Sequence, residues 1–260
     1  MKKLVTLVLL LVSFSAHSAE ELLVAPSPES GFFANASPTH ATLWDQPDTN
    51  AVVAMLPGGD GSFNMKFAWR SHRMTGIGST VTLIGDKTVT SGKLSGAFID
   101  SPYSLGIEYY PGARFSESHI KRVISILQLI KEKTNKPIWL YGHSNGSISA
   151  FEVYKFLKKT NNDLVAGIIV SGSRDVIKPP ANMDIPVLFI HHTEDACKDT
   201  PLSQALRNYE KIKSSNTSRT EFVRISEYVP PRGHACFTGP HMFDNLHPQV
   251  STIIDRFVNQ

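Results

Sequence analysis

The stretch KPIWLYGHSNGSISAFEVYKFL, from Lys136 to Leu157, decides the fold of this chain. Its segment PIWLY (137–141) is a short apolar run typical of a buried strand, and SISAFEVYKFLKK (147–159) has the spacing of a helix. Between them, GHSNG places Ser144 between Gly142 and Gly146. A strand, a sharp glycine turn and a helix in direct succession can present a serine as a nucleophile at the edge of a sheet. The alternative interpretation is an ordinary tight turn.

Predicted strands and helices alternate along most of the chain. Strands are predicted in HATLW (40–44), AVVAML (51–56), GAFIDSP (96–102), PIWLY, LVAGIIVSG (164–172), IPVLFIHH (185–192) and EFVRISEYV (221–229). Helices are predicted from Ser116 onward, at 147–159, in SQALRNYEKIK (203–213) and in QVSTIIDRFV (249–258). This order predicts an α/β fold with a mostly parallel central sheet and helices on both faces. Ligands of such sheets bind beyond the carboxyl ends of the strands.

Two regions have weaker patterns. Residues 20–40 are rich in proline, serine and alanine and are predicted to form an extended N-terminal arm. Between residues 66 and 95 we expect a helix in KFAWRSHRM (66–74), a strand in STVTLIG (79–85) and a solvated loop in DKTVTSGK (86–93).

The N-terminal residues have the three parts of a secretory signal peptide. Two lysines precede an apolar run, Leu4 to Phe14, and small residues end the segment near Ala19. The run is shorter than the about 20 residues needed to span a bilayer, so a retained anchor is the less favoured alternative. Residues 1–19 are therefore predicted to be removed, leaving one domain over 20–260, exported to the periplasm or the cell exterior and without a stable membrane anchor.

The charge of the chain indicates which partners to expect. Removing residues 1–19 takes away two lysines and no acidic residue, which lowers the formal net charge from +3 to +1. No clustered lysine or arginine stripe of the kind that follows a phosphate backbone is present. We therefore expect no nucleic-acid partner.

Several motifs together resemble the α/β-hydrolase superfamily. They are GHSNG, LPGGDG (56–61) after an earlier strand, HHTEDAC (191–197) after a later one, and a histidine near the C-terminus. Their order, serine then acid then histidine, is that of the superfamily. The resemblance covers nearly all of the mature sequence. Within the superfamily, the chain resembles exported bacterial serine hydrolases related to dienelactone hydrolase. It implies this fold, Ser144 as nucleophile and a reaction that needs no cofactor.

The resemblance also indicates the acid and the base of a catalytic triad. Asp195 matches the acid by its place after a strand, although Glu194 and Asp199 are close neighbours. His241, in PHMF (240–243), resembles the histidine of an HGF pattern in relatives of dienelactone hydrolase, with methionine in place of glycine. His234 is the second candidate for the base, and a third histidine, His247, is less favoured.

A serine hydrolase also needs donors for the oxyanion of its intermediates. The expected donors are the backbone N–H of Asn145, directly after the serine, and an N–H in LPGGDG near Gly59 or Asp60. A phosphate-binding loop is the competing interpretation of these glycines, but the GK[ST] ending is missing.

The chain has two cysteines, Cys197 and Cys236. In an exported protein they are expected to form a disulfide, with two buried free thiols as the alternative. If Asp195 and His241 are hydrogen-bonded, a Cys197–Cys236 disulfide would join the two loops that carry them. A zinc site is the other interpretation of the nearby His, Asp and Cys residues, but their spacing matches no HExxH or CxxC pattern, so no metal is expected.

These expectations combine into one functional hypothesis. The chain is predicted to be an exported serine hydrolase that cleaves a carboxylic ester or a related acyl bond of a small molecule through an acyl-enzyme. The connection between LVAGIIVSG and IPVLFIHH is too short for a large lid. The alternatives are a peptidase or thioesterase with the same residues, and a binding protein on a non-catalytic hydrolase fold. The sequence does not indicate an oligomeric state.

Overall fold

The Gly142–Gly146 turn lies at the carboxyl end of a central strand in an eight-stranded sheet. The structure, a computed structural model, describes residues 21–27, 38–59, 84–85, 87–100, 111–180, 182–230 and 233–260. The strands of the sheet are β1 (Glu21–Ala25), β2 (Thr39–Trp44), β3 (Val52–Leu56), β4 (Ser95–Asp100), β5 (Ile138–His143), β6 (Gly167–Ser171), β7 (Val187–His192) and β8 (Thr220–Ile225). Their order across the sheet is β1-β2-β4-β3-β5-β6-β7-β8.

The sheet is mostly parallel, as predicted. Strand β2 pairs antiparallel with β1 and β4, whereas the pairs from β4 through β3, β5, β6 and β7 to β8 are all parallel. The carboxyl ends of β3, β5, β6 and β7 therefore lie along one edge of the sheet, and the loops that follow them meet there.

Helices cover both faces of the sheet because the side chains of a strand alternate between the faces. In β5, Ile138 and Leu140 join one apolar core, and Trp139 and Tyr141 join the other. The flanking helices are α1 (Glu117–Thr134), α2 (Asn145–Lys159), α3 (Leu202–Lys213) and α4 (His247–Val258). Helices α1, α2 and α3 contribute to the first core, and α4 contributes to the second, where Phe257 packs edge-on against Trp139.

The ends of α1 follow the rules of helix capping. The Ser116 side chain accepts a hydrogen bond from the backbone N–H of His119 at the start. At the end, Asn135 adopts the left-handed conformation, and its N–H donates to the Lys131 carbonyl. The cap at Ser116 places the start of α1 where the helical spacing begins in the sequence.

Two local predictions were wrong. Residues 21–25 form strand β1, paired with β2 from Glu21 opposite Leu43 to Ala25 opposite Thr39, rather than part of an extended arm. Residues 84–85 and 87–90 are helical, where we predicted a strand end and a solvated loop. Thr88 and Val89 are buried there, and the Thr88 hydroxyl donates to the Ile84 carbonyl, which favours a helical turn.

The connection from β6 to β7 contains no helix in its described residues, 172–180 and 182–186, in agreement with the absence of a large lid. None of the helices in the described part of the chain is long and apolar enough to cross a membrane. The predicted signal peptide (1–19), the predicted helix at 66–74 and the oxyanion candidate Asp60 lie outside the described residues.

Candidate active site

Ser144 occupies a strained turn between β5 and α2. Its φ of 50° and ψ of −120° lie in a region that non-glycine residues rarely adopt. A hydrogen bond of 3.0 Å from its backbone N–H to the Ser171 carbonyl holds the turn against β6. Its hydroxyl makes no capping bond to α2, and the residue is 8% exposed. The side chain is therefore not used to stabilise the helix that follows.

The two glycines of the turn are required by close backbone contacts. A Cβ atom on Gly142 would lie 2.3 Å from the Gly146 carbonyl oxygen, and one on Gly146 would lie 2.1 Å from the Leu56 carbonyl oxygen. Both distances are far below van der Waals contact. Glycine at these positions lets α2 begin directly after Ser144 and lets its first turn pack against the end of β3.

Asp195 and His241 are hydrogen-bonded. Asp195 lies three residues beyond the end of β7, and its Oδ2 is 2.9 Å from Nδ1 of His241. The carboxylate also accepts bonds from the Cys197 backbone N–H, at 2.9 Å, and from the Thr200 hydroxyl, at 3.0 Å. Both side chains are 1% exposed. Because an ionised carboxylate only accepts hydrogen bonds, this contact puts the proton of His241 on Nδ1 and leaves Nε2 free to accept one.

Nε2 of His241 is buried and has no hydrogen-bond partner among the described residues. His241 lies in the short 3₁₀ helix Gly239–Met242, just before α4. His234, by contrast, is exposed, stacks on Phe237 with ring centroids 4.6 Å apart, and accepts the Cys236 N–H at Nδ1. Of the two histidines considered for the base, the structure therefore brings His241 to Asp195.

The disulfide between Cys197 and Cys236 joins the two loops that carry Asp195 and His241. The Cα atoms of the two cysteines are 4.6 Å apart, although the residues are 39 positions apart in the sequence. Cys197 is the residue whose backbone N–H donates to Asp195. The covalent link thus acts directly on the segment that holds the carboxylate.

Charge and burial act in opposite directions on Asp195. Burial alone would raise the pKa of its carboxyl, but the hydrogen bonds from His241 and the Cys197 N–H, together with the charge interactions with His241 and His191, lower that pKa overall. A second histidine, His191, lies with Nε2 3.6 Å from Asp195 Oδ2. Burial lowers the pKa of His191 to about 4, although the Asp195 carboxylate acts to raise it. Asp195 is thus ionised and His191 neutral near neutral pH.

A buried polar chain lies behind the His241 ring. The ring centroids of His143 and His241 are 4.9 Å apart. Nδ1 of His143 is 2.9 Å from the Ser171 hydroxyl, which is 2.7 Å from the Tyr141 hydroxyl. Burial, reinforced by the neighbouring His241, holds the pKa of His143 well below its ordinary value. His143 is therefore a neutral ring that packs against His241.

The loop after β3, residues 57–59, lies beside the N-terminus of α2. Gly59 has a φ of 55°, and its carbonyl accepts a 2.9 Å bond from Nδ2 of Asn145. Arg114 donates to the Pro57 carbonyl at 2.9 Å, and Arg174 donates to Oδ1 of Asn145. Arg114 and Arg174 belong to no recognisable sequence motif, because their partners are distant in sequence.

The described residues contain one group of metal-ligand type, formed by Cys197, Asp199 and Cys236, whose ligand atoms lie within 4.8 Å of one another. Because the two sulfur atoms are bonded to each other, no thiolate is available in this state.

Comparison with solved structures identifies the fold. The chain is similar to a dienelactone hydrolase from Anabaena variabilis, with 13% identity over 93% of this chain and 97% of that one and a TM-score of 0.62. It is also similar to an α/β serine hydrolase without a lid from Xanthomonas campestris, with 12% identity over 92% and 94% of the chains and a TM-score of 0.58. A hyperthermophilic esterase from the archaeon Pyrobaculum calidifontis has 12% identity over 92% and 84% and a TM-score of 0.60.

These likenesses show that the chain has the α/β-hydrolase fold, as its motifs predicted. At this level of identity they show the fold alone. No protein-family model matches the sequence, and a search of curated proteins found no significant match.

Proposed function

We propose that this protein is an exported serine hydrolase that cleaves a carboxylic ester or a related acyl bond, with Ser144 as nucleophile, His241 as base and Asp195 as the acid of the triad. The observation that carries the proposal is the bond between Asp195 Oδ2 and His241 Nδ1, 2.9 Å long, in a fold that holds Ser144 in a strained turn. The esterase and hydrolase names of the structural neighbours support the same reaction class.

The proposed reaction begins with attack by Ser144 Oγ on the substrate carbonyl. His241 takes the hydroxyl proton at Nε2, the nitrogen that its contact with Asp195 leaves free. The ionised Asp195 stabilises the imidazolium that forms and keeps the ring in one orientation. His241 then gives the proton to the leaving alcohol, and the same nitrogen activates water to hydrolyse the acyl-enzyme.

The oxyanion of each tetrahedral intermediate needs hydrogen-bond donors. The backbone N–H of Asn145, first residue of α2, is proposed as one donor, and the positive end of the helix dipole favours negative charge there. The second donor is proposed to come from the loop after β3, near Gly59 or Asp60. A small-molecule ester is the expected substrate, and no cofactor or metal takes part.

A fluorophosphonate probe tests the nucleophile and the base together. We expect the probe to label purified protein on Ser144, located by peptide mass spectrometry, and His241→Ala to abolish labelling. His234→Ala is the matched control and should label like the unchanged protein, because His234 is exposed and its Nδ1 accepts the Cys236 N–H. Absence of labelling in well-folded protein would refute the hydrolase proposal, and loss in His234→Ala alone would reassign the base.

Export is proposed on the N-terminal segment 1–19 and on the disulfide, which is typical of oxidising compartments. Mass spectrometry of the protein recovered from a periplasmic fraction of a bacterial expression host tests this. The expected N-terminus is Glu20, and a chain that retains Met1 in the membrane fraction would contradict export by cleavage.

A further inference from the structure

The side chain of Asn145 connects the loop after β3 to the connection after β6. Its Nδ2 donates to the Gly59 carbonyl at 2.9 Å, and its Oδ1 accepts a bond from Arg174. Both Asn145 and Arg174 are buried, with 7% and 9% exposure. A guanidinium group only donates hydrogen bonds, so it fixes which end of the amide faces it. Arg174 therefore directs the NH₂ group of Asn145 toward Gly59.

Arg114 supports the same loop from the other side. Its Nη2 donates to the Pro57 carbonyl at 2.9 Å and approaches the Gly59 carbonyl at 3.4 Å, while its Nη1 donates to the Ser149 hydroxyl of α2 at 2.9 Å. Arg114 is 3% exposed. Carbonyls at both ends of the segment 57–59 are thus fixed by side chains that are themselves anchored to α2.

Fixing a carbonyl also fixes the direction of an N–H. In a trans peptide the C=O and the N–H lie in one plane and point in opposite directions, and none of the described peptide bonds is cis. Rotation of the peptide groups that begin at Pro57 and Gly59 would break the bonds to Arg114 and Asn145. The first bond orients the Gly58 N–H, which shares a peptide plane with the Pro57 carbonyl, and the second holds the carbonyl of Gly59. The backbone of residues 57–59 is therefore restrained at both ends before any substrate arrives.

We propose that the Asn145 side chain is a positioning residue for the oxyanion hole, in addition to the role of its backbone N–H. The inference rests on the proposed function, because it assigns the loop after β3 to the oxyanion. Donors that already point at the developing charge need no reorganisation during the reaction, which is what makes an oxyanion hole effective. The amide contributes this by holding the Gly59 carbonyl, which restrains the backbone of residues 57–59, without touching the substrate.

Two substitutions at this position test the proposal with p-nitrophenyl acetate as substrate. Asn145→Asp keeps the size of the side chain and the acceptor toward Arg174, but presents an oxygen instead of an NH₂ to the Gly59 carbonyl. Asn145→Ala removes both bonds. Asn216→Ala is the matched control, because its amide also holds a backbone carbonyl, that of Ile185 at 2.9 Å, before the start of β7 and away from the site.

For both Asn145 variants we expect kcat to fall about 10-fold or more, with KM within about threefold of the unchanged protein. Rates are normalised to active sites titrated with the fluorophosphonate, so that misfolded protein does not contribute. The affinity for a phenylalkyl trifluoromethyl ketone, which forms an oxyanion on Ser144, should fall by the same factor as kcat/KM. Asn216→Ala should change neither quantity.

The outcomes separate this inference from the proposed function. An active unchanged protein together with Asn145→Asp of equal kcat per titrated site and equal inhibitor affinity would overturn the positioning role and leave the hydrolase intact. An increase in KM alone would also overturn it, because that pattern indicates a substrate contact. An unchanged protein with no labelling and no turnover would overturn both.

Discussion

Asp195 and His241 are 46 residues apart in the sequence, and a 2.9 Å contact between Oδ2 and Nδ1 joins them. Every hydrogen bond that the structure gives to the Asp195 carboxylate comes from its own loop or from this histidine. The contact fixes both the tautomer of His241 and the position of its free nitrogen. Its loss should therefore affect chemistry more than folding.

Asp195→Asn is predicted to lower kcat by about 10³-fold to 10⁴-fold, because an amide NH₂ facing Nδ1 favours the tautomer in which Nε2 carries the proton and is not a base. Esterase assays measure kcat, and a thermal melt measures the stability of the fold. Glu194→Gln is the control, since Glu194 is the exposed neighbour in the same loop. Equal loss in both variants would contradict the assignment of Asp195.

Removing the disulfide by Cys197→Ser and Cys236→Ser together is predicted to lower the free energy of unfolding by roughly 4 kcal/mol, because the closed loop of about 40 residues gains entropy in the unfolded chain. Activity should fall as well, since Cys197 donates to Asp195. Urea unfolding and esterase assays of the double variant measure both. Unfolding at the same urea concentration as the unchanged protein would show that the link does not stabilise the fold.

Backbone strain at Ser144 predicts an unusual order of stability. Ser144→Gly should have a free energy of unfolding about 1 kcal/mol higher than Ser144→Ala, because glycine tolerates a φ of 50°. Urea unfolding measures the difference. Both variants should be inactive. The same pair at Ser147, inside α2, is the control, and there alanine should be more stable than glycine by about 1 kcal/mol. The same order at both positions would indicate that the turn is unstrained.

Buried His119 predicts a loss of stability in acid. Burial, and then the charges of Arg114 and Arg122, lower its pKa from 6.5 to about 3. As pH falls below about 6.5 the unfolded chain takes up a proton that the folded chain does not bind until about pH 3, so the free energy of unfolding decreases by up to about 1.4 kcal/mol per pH unit in this window.

Urea unfolding between pH 7 and pH 4 measures this effect. His119→Asn should be less stable at neutral pH, because it loses the 2.8 Å contact with the Ser149 hydroxyl, but its stability should depend less on pH. Thr252→Ala, on the exposed face of α4, should keep the slope of the unchanged protein. Parallel slopes in His119→Asn and the unchanged protein would contradict the shifted pKa.

The parts of the fold that the sequence predicted are those determined by local patterns. The run PIWLY, the glycine turn and the apolar spacing of α1 each signal their structure within a few residues. Strand β1 was missed because its five residues acquire meaning only when paired with β2. The helical residues 87–90 were missed because β-branched Thr88 and Val89 favour other structures locally, and burial overrides that preference.

In the candidate site, too, the sequence predicted features that depend on neighbouring residues and missed those that depend on distant contacts. The serine was identified from its turn, and its glycines follow from contacts within that turn and with β3. Sequence alone left two histidines for the base, because both lie soon after the last strand and the choice depends on a contact across 46 residues. Arg114 and Arg174 could not have been selected, since their roles depend on carbonyl and amide partners 57 and 29 residues away.

Helix α4 follows His241 closely, and the late position of His241 in the chain has a consequence for synthesis. Ser144 and Asp195 precede His241 in the sequence, so both are synthesised before it. With the roles proposed above, a nascent chain therefore carries its nucleophile before the base that activates it has been synthesised.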